Sequence, residues 1–450
     1  PSPAMPQSTY PPKSPRSMQT FHIQNFGCRA TQADGSALAS QLEARGLTPG
    51  DAPDLVVLNT CTVTATADQD VHKAIHRARR EHPHARILVT GCYAQRAPEH
   101  LAALPGVDWV VGNSHKVSIP DIVLGDSYHG NIHVGDIMAP QEFTSAPITD
   151  AGLDRSRPNL KIQDGCNNRC SFCIIPAVRG RSRSATPEWV IEQVRQLSAS
   201  YQEIVLTGIN LGRWGRDFAT DKPAARLRLA GLLRRILAET EVARLRLSSV
   251  EPMDFTDDLL ALMAAEPRIA AHVHAPLQSG SDTVLRRMYR KYRPRHYEDR
   301  LRKARAWMPD AAIGADVMTG FPGETDAEFE ESRAFIAALP FTYLHVFTYS
   351  ERPGTRAAES GAMVPMEVRK ERNRILRELA AEKNLEFRRR FLGRKLSVVT
   401  LEGQRALSSN YLSVELTQPS APNQLRDIEI GAVTPQGVRE AALLPVLTCP

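Results

Sequence analysis

The segment GCNNRCSFCIIP, residues 165–176, sets Cys166, Cys170 and Cys173 within eight positions. A structural zinc site takes four ligands and a disulfide takes two, so three thiols leave a gap. On a loop, Cys-x3-Cys-x2-Cys can wrap one corner of a cubane [4Fe–4S] cluster and leave the fourth iron open to a non-protein ligand. A zinc knuckle completed from afar and a ferredoxin-like electron carrier are the other readings. No fourth Cys or His follows at close spacing, and the loop does not sit in a small cysteine-dense chain. A second trio stands earlier. Cys28, Cys61 and Cys92 each end an apolar run: FHIQNFGC, DLVVLNTC and ARILVTGC. Three separately buried small residues would be the plain explanation, since free Cys is often buried. Three thiolates at one sheet edge would instead suit an iron–sulfur cluster with an open iron, or an incomplete zinc site.

These thiols need elements to position them. The helical patterns DGSALASQLEARG and DQDVHKAIHRARREHP separate the three runs, which predicts βαβαβ and a parallel sheet. Parallel strands put their carboxyl ends on one edge, where open α/β sheets bind ligands. From residue 158, strand and helix alternate again. Expected strands are 160–165, 203–208, 244–249, 271–277, 312–320 and 343–350. In ATPEWVIEQVRQL, Thr186 is an N-cap, Pro187 stands at N1 and Glu188 favours the first turn. Six such units predict a partial (β/α)6 barrel, with chemistry at the carboxyl ends of its strands. The three-cysteine loop follows the first of them. TGIN (207–210), SSVEP (248–252), LQSGSD (277–282) and GFPGET (320–325) follow others. There Gly208, Gly280 and Gly320 would allow close approach to a cofactor, and Ser249, Glu251 and Gln278 would hydrogen-bond it. Each taken alone also reads as turn chemistry.

The 450 residues suffice for about three domains of roughly 150 each. No apolar run is long enough for a membrane helix. The opening PSPAMPQSTYPPKSPRS lacks an apolar h-region and reads as a disordered extension, 1–17, with Met18 a natural start. Seven cysteines in such a length are no disulfide framework, so a cytoplasmic protein with reduced thiols is expected. The net charge of +6 is compatible with nucleic acid. Residues 366–395 form an amphipathic, Arg- and Lys-rich helical pattern, ending in RRRFLGRK. Beyond it, KLSVVTLE, NYLSVEL and IGAVTP predict a small antiparallel β-barrel of a kind that often binds nucleic acid. Arg388, Arg389, Arg390, Arg394 and Lys395 would hold RNA phosphates, as would Arg179, Arg181 and Arg183 in PAVRGRSRS. A plain surface loop and a solvated helix are the bland alternatives. Cys449 is expected to be unliganded.

The Cys166–Cys170–Cys173 segment resembles the signature of the radical S-adenosylmethionine enzymes, in which the cofactor's amino and carboxylate groups fill the open iron. With a second trio ahead of it, the chain from about residue 20 resembles the methylthiotransferase family. NTCTVTATAD, TGCYAQ, LKIQDGCNNRC, EIVLTGIN and HVFTYSERPGTRAA are similar to the branch acting on N6-threonylcarbamoyladenosine at tRNA position 37. The resemblance implies an α/β chain. An N-terminal auxiliary-cluster domain (18–135) and a linker (136–157) would precede a radical barrel (158–386) and a TRAM-like barrel (387–450). It implies two [4Fe–4S] clusters, on Cys28, Cys61 and Cys92 and on Cys166, Cys170 and Cys173. One S-adenosylmethionine would donate a methyl through sulfur at the first; another would be cleaved at the second to a radical that abstracts hydrogen from C2 of the base. A tRNA anticodon loop, a low-potential electron donor and a sulfur donor are the implied partners, and a monomer is expected. An aromatic C–H is far too weak an acid for side-chain bases, whose help is only about 10²- to 10⁴-fold. The sequence departs from the pattern at Thr31, where Asn is usual, at Ala33, where Tyr is usual, and at Ala185, where Arg is common. Gln32 and Asp34 fit. Same-class alternatives act on isopentenyladenosine in tRNA or on a ribosomal-protein aspartate; an iron–sulfur or zinc RNA-binding protein without catalysis is the alternative of another class.

Overall fold

The computed structural model describes residues 18–125, 130–139, 142–143, 147–148, 156–218 and 227–442. The expected extension at 1–17, Cys449 and much of the expected linker lie outside the described residues. The described residues group into two compact units. Those up to 139 group with 147 and 175–180, and the other described residues form the second unit.

In the first unit, β1 (Thr20–Asn25), β2 (Thr48–Pro49), β3 (Leu55–Thr60), β4 (Arg86–Gly91), β5 (Trp109–Gly112) and β6 (Ile132–His133) form one sheet in the order β2-β1-β3-β4-β5-β6. Every pairing is parallel. The reason lies in LVVLNT, all six residues of which are buried. A strand apolar on both faces must be covered on both. Val56 and Leu58 join Val71 and Ile75 in one core, while Leu55 and Val57 join Leu38 and Leu42 in another. The helix Ala65–Glu81 buries Val71, Ala74, Ile75 and Ala78, one stripe at helical spacing, and Thr64 caps it by accepting from Ala67 N. The three expected strands are present. The other three run two to four residues, too short to show a periodicity.

The second unit opens with β7 (Asn159–Asp164), β8 (Arg183–Ser184), β9 (Glu203–Gly208), β10 (Arg244–Leu247), β11 (His272–His274), β12 (Ala312–Thr319) and β13 (Tyr343–Thr348). The six expected strands all form, in two sheets, β10-β9-β7-β8 and β11-β12-β13, and only β8 runs antiparallel. Between β10 and β11 the ladder thins to a Leu245–Ile269 bridge and Val250 N to His274 O at 3.0 Å. Thr186 caps the helix Pro187–Ser198 as expected.

The helix Met366–Arg389 runs past residue 387. Its Phe387, with Phe391 just beyond, sits in the core of the last barrel beside Val398, Ile428 and Ile430. A shared helix explains why this barrel and the preceding sheets form one unit. The barrel is β14 (Lys395–Leu401), β15 (Arg405–Ser408), β16 (Ser413–Glu415), β17 (Leu425–Val433) and β18 (Val438–Glu440), closed in the order β14-β15-β16-β18-β17. It is antiparallel except for β16 with β18, which is parallel. Buried Arg246 ties it down. Its Nη1 donates to Ser409 O at 3.1 Å, its Nη2 to Ser408 O at 3.0 Å, and its Nε and Nη2 to Glu203. Among the described residues no helix is long and apolar enough to cross a membrane.

Candidate active site

In the first unit the three cysteines meet at the carboxyl edge of the sheet. The register sets Asn25 beside Asn59 and Thr60 beside Gly91, so the residues that follow β1, β3 and β4 lie side by side. Cys28 stands just before the helix Arg29–Glu43, with no side-chain bond to it, and Cys92 starts the helix Cys92–Arg96. Gly27 permits the approach: with φ of +97°, a side chain there would strike Cys61. Burial, and then the charges of Cys92 and Cys28, push the Cys61 thiol up to about 12. Three thiols brought to one sheet edge are a donor set of the kind an iron–sulfur cluster takes.

A buried polar network surrounds this trio. Arg179 donates from Nε to Cys92 Sγ at 3.3 Å and from Nη2 to Asp34 Oδ2 at 3.0 Å and Thr31 Oγ1 at 3.4 Å. Lys116 Nζ reaches the same Asp34 oxygen at 3.0 Å and Asn59 Oδ1 at 3.3 Å. Asn113 Nδ2 reaches Cys92 Sγ at 3.6 Å, and Cys28 Sγ lies 3.5 Å from Thr31 Oγ1. Thr31, the departure from the family pattern, therefore touches the site through a hydroxyl.

In the second unit the loop from Gly165 to Cys173 leaves the end of β7. Gly165 turns it with φ of +66°. Gln163, fully buried, braces it. Its Nε2 donates to the carbonyls of Asp164 and Gly165 and to Ser182 Oγ, and its Oε1 accepts from Asn210 N. Asn210 Nδ2 lies 3.6 Å from Cys166 Sγ, while its Oδ1 is buried with no hydrogen-bond partner among the described residues. Asn168 N donates to Cys166 Sγ at 3.4 Å. Arg290 donates from Nη1 to Cys170 Sγ at 3.2 Å and pairs with Glu251. Tyr292, beneath its guanidinium, donates to Leu277 O at 2.6 Å. Asn168, Cys170, Glu251, Tyr289 and Lys291 line a cleft here. Three thiols on one short loop, an unsatisfied buried amide oxygen and a charged rim fit an iron–sulfur cluster with a polar organic cofactor beside it.

The expected cofactor contacts are mixed in kind. Glu251 faces the cysteine loop through Arg290. Ser249 is partly exposed between β10 and Glu251. Gln278 holds φ of +66° and is bonded through its backbone to Asp316 O and Met318 N. At Gly208 and Gly320 the side-chain space is already taken, by Gln163 and by Arg369, and at Gly280 by Ser332 and Phe335. Bareness there serves packing on that side. Of the expected phosphate contacts, two require correction. Arg179 is 1% exposed and spent on Cys92 and Asp34, and Arg388 is 7% exposed and donates to the carbonyls of Thr434 and Gly437. Neither can meet a phosphate. Arg183 pairs with Asp164, and Arg390 and Arg394 with Asp310. Arg181, Arg389 and Lys395 are exposed.

Asn59, Lys116, Asn113, Gln163, Asn210, Arg290 and Tyr292 were not singled out by the sequence. Asn59 and Gln163 carry a usable signal, a polar residue inside an apolar strand. Arg290 carries none, because it stands in the run RRMYRKYRPR, which reads as a solvated face.

Two family models match, an uncharacterized protein family, UPF0004, over residues 20–112 and the radical SAM superfamily over 160–336. The superfamily's cofactors are an iron–sulfur cluster and S-adenosylmethionine. A relative from Aquifex aeolicus, threonylcarbamoyladenosine tRNA methylthiotransferase MtaB, is 36% identical, covering 87% of this chain and 95% of its own. The protein of that name from Bacillus subtilis is 38% identical, covering 89% of each. A tRNA-2-methylthio-N(6)-dimethylallyladenosine synthase from Thermobifida fusca is 35% identical over 86% of this chain and 78% of its own. Among solved structures, the radical S-adenosylmethionine methyltransferase TsrM from Kitasatospora setae shares the fold, with a TM-score of 0.56 at 16% identity over 76% of this chain and 77% of that one. The chain belongs to the radical S-adenosylmethionine methylthiotransferase family.

Proposed function

We propose that this enzyme converts N6-threonylcarbamoyladenosine at tRNA position 37 into its 2-methylthio derivative, using two [4Fe–4S] clusters and S-adenosylmethionine. The observation that carries the reading is the pair of three-thiol sets, each one ligand short, in a chain that covers nearly the whole of relatives named for this base. Cys166, Cys170 and Cys173 would hold the radical cluster and Cys28, Cys61 and Cys92 the auxiliary one. Together these groups supply the one-electron chemistry that removes hydrogen from an unreactive C–H and the sulfur that replaces it.

The chain's own residues prepare the ground. Gln163 and Asn210 hold the cysteine loop in shape. Arg290 sets a positive charge against Cys170, and Glu251 keeps that guanidinium in place. Ser249, Glu251, Gln278, Gly208 and Gly320 remain the proposed surroundings of S-adenosylmethionine. Arg179 does for Cys92 what Arg290 does for Cys170. Arg181, Arg389 and Lys395, with Arg390 and Arg394, would track the tRNA backbone, and a base taken out of the anticodon stack would enter the barrel. The electron donor and the sulfur donor are separate partners in this reading.

Mass spectrometry of tRNA nucleosides, from cells with and without the gene, tests it. Loss of 2-methylthio-N6-threonylcarbamoyladenosine is expected. Its persistence, with loss of the isopentenyl analogue or of a modified ribosomal-protein aspartate, would overturn the substrate. Anaerobic reconstitution tests the chemistry: 5′-deoxyadenosine should be released with dithionite and S-adenosylmethionine, and Cys170→Ala should abolish it. A chain that carries only zinc would overturn the enzyme.

A further inference from the structure

One face of the sheet β11-β12-β13 carries polar and aromatic side chains that none of the roles above uses. The register pairs His274 with Gly314, Gly314 with Tyr343, Asp316 with His345 and Met318 with Phe347, so alternation places all of them on the same side. Towards the amino ends of the strands the face is closed. The Tyr343 hydroxyl hydrogen-bonds with His272 Nε2 at 2.7 Å and His274 Nδ1 at 2.8 Å. Gly314 is what lets that ring cross, because any side chain there would land inside it. Tyr411, from the last barrel, stacks on His272 at 4.3 Å and lies under Arg246 at 5.5 Å, so it meets the same side of both sheets.

Towards the carboxyl ends, the end at which β7 hands over to the cysteine loop, the face is open. Asp316 Oδ1 lies 3.2 Å from His274 Nε2 and 3.2 Å from His345 Nδ1. His274 is thus gripped between Tyr343 and Asp316, and Asp316 in turn orients His345. One ring nitrogen of His345 is spent on the carboxylate, and the side chain is still 48% exposed. Phe347, the next residue on this face, is also 48% exposed, with its ring edge-on to His345 at 6.5 Å. An exposed phenyl face beside a hydrogen-bonding edge held in one orientation is suited to a flat heteroaromatic ligand with a polar substituent.

We propose that His345 and Phe347 determine substrate specificity: Phe347 stacks on the target base, and His345 hydrogen-bonds the ureido or carboxylate group carried by its 6-amino nitrogen. Asp316 and His274 are positioning residues for His345. This inference rests on the proposed function and adds to it the residues that tell a polar substituent from an alkyl one. A site that hydrogen-bonds a substituent rejects the analogue lacking it, because its own polar group is then left unpaired.

The test measures dissociation constants by fluorescence anisotropy, using reconstituted holoenzyme and three anticodon stem–loops that differ only at position 37. One carries the threonylcarbamoyl group, one the isopentenyl group and one plain adenosine. Wild type should bind the threonylcarbamoyl loop tightest. His345→Leu should weaken that loop by about tenfold, the worth of one hydrogen bond to a charged group, and leave the plain loop unchanged. Asp316→Asn should lose part of the preference, and His345→Gln, with a polar end on a flexible stem, should keep part of it. Phe347→Leu should weaken all three loops alike, since stacking ignores the substituent. Iron content and thermal midpoint at the wild-type value identify the variants that count, and His345→Gln and Phe347→Leu serve should His345→Leu fail that check. A wild-type preference for the threonylcarbamoyl loop that survives in the His345 variants overturns this inference alone. So does a preference that appears only with added divalent metal, because the three ligand atoms of His274, Asp316 and His345 lie within 4.8 Å of one another. A wild type that binds the isopentenyl loop tightest overturns the proposed function and this inference with it.

Discussion

Glu203 is the residue whose loss the structure prices most directly. Its side chain is fully buried at the start of β9 and is met by Arg246 at 2.8 Å, Arg157 at 2.9 Å and Arg244 at 3.5 Å. Burial alone would push its carboxyl up. The guanidinium groups of Arg246 and Arg157 outweigh burial and hold it at about 2, against an ordinary 4.5. That gap is worth about 3 kcal/mol at neutral pH. Because the folded value is the lower one, the contribution is complete above pH 4.5 and disappears as the pH falls through 2. Removing one partner of a buried ion pair costs about 3–5 kcal/mol, so both routes give the same order for Glu203→Gln. The damage should centre on Arg246, which also holds the Ser408 and Ser409 carbonyls. Urea unfolding followed by circular dichroism, from pH 7 down to pH 2.5, reads the difference. The variant should unfold about 3 kcal/mol sooner at pH 7, with the gap to wild type narrowing below pH 4.5. A loss under about 1 kcal/mol, or a gap that does not change with pH, would refute the reasoning.

On the proposed ligand set of Cys28, Cys61 and Cys92, Gly27→Ala should remove the auxiliary cluster alone: iron per chain falls by one cluster's share, and 5′-deoxyadenosine release in the absence of tRNA persists. Arg290→Met should leave Cys170 without its charge-assisted hydrogen bond and Glu251 without its partner. An altered electron paramagnetic resonance spectrum of the reduced radical cluster, largely restored by Arg290→Lys, is the expected result. Arg181→Ser and Lys395→Ser should each flatten the salt dependence of tRNA binding by about one charge. Arg388→Met should lower the thermal midpoint instead and leave that slope as it was, because its guanidinium is buried against the carbonyls of Thr434 and Gly437.

Strand ends and thiols were readable because each leaves a local mark. LVVLNT is apolar on both faces, and that alone makes it an interior parallel strand. Cys28, Cys61 and Cys92 stand just past such strands, so parallel pairing was enough to bring them together. The basic residues carry no such mark. Arg179 and Arg181 are two positions apart in one basic run, yet one is buried against Cys92 and the other is in solvent. Nothing in PAVRGRSRS separates them, since a charge is buried only where a partner such as Asp34 is waiting, 145 residues away. Arg388 and Arg389 repeat the lesson within a single helix.

The six thiols, grouped in threes, and the two strand–helix patterns were legible in the sequence, because residue type and periodicity are local properties. Tertiary structure alone decided which charges meet those thiols, that Glu203 and Arg246 fasten the last barrel, and that His274, Asp316, His345 and Phe347 share one face. Those facts depend on register between strands tens of residues apart and on which polar groups burial leaves in need of a partner.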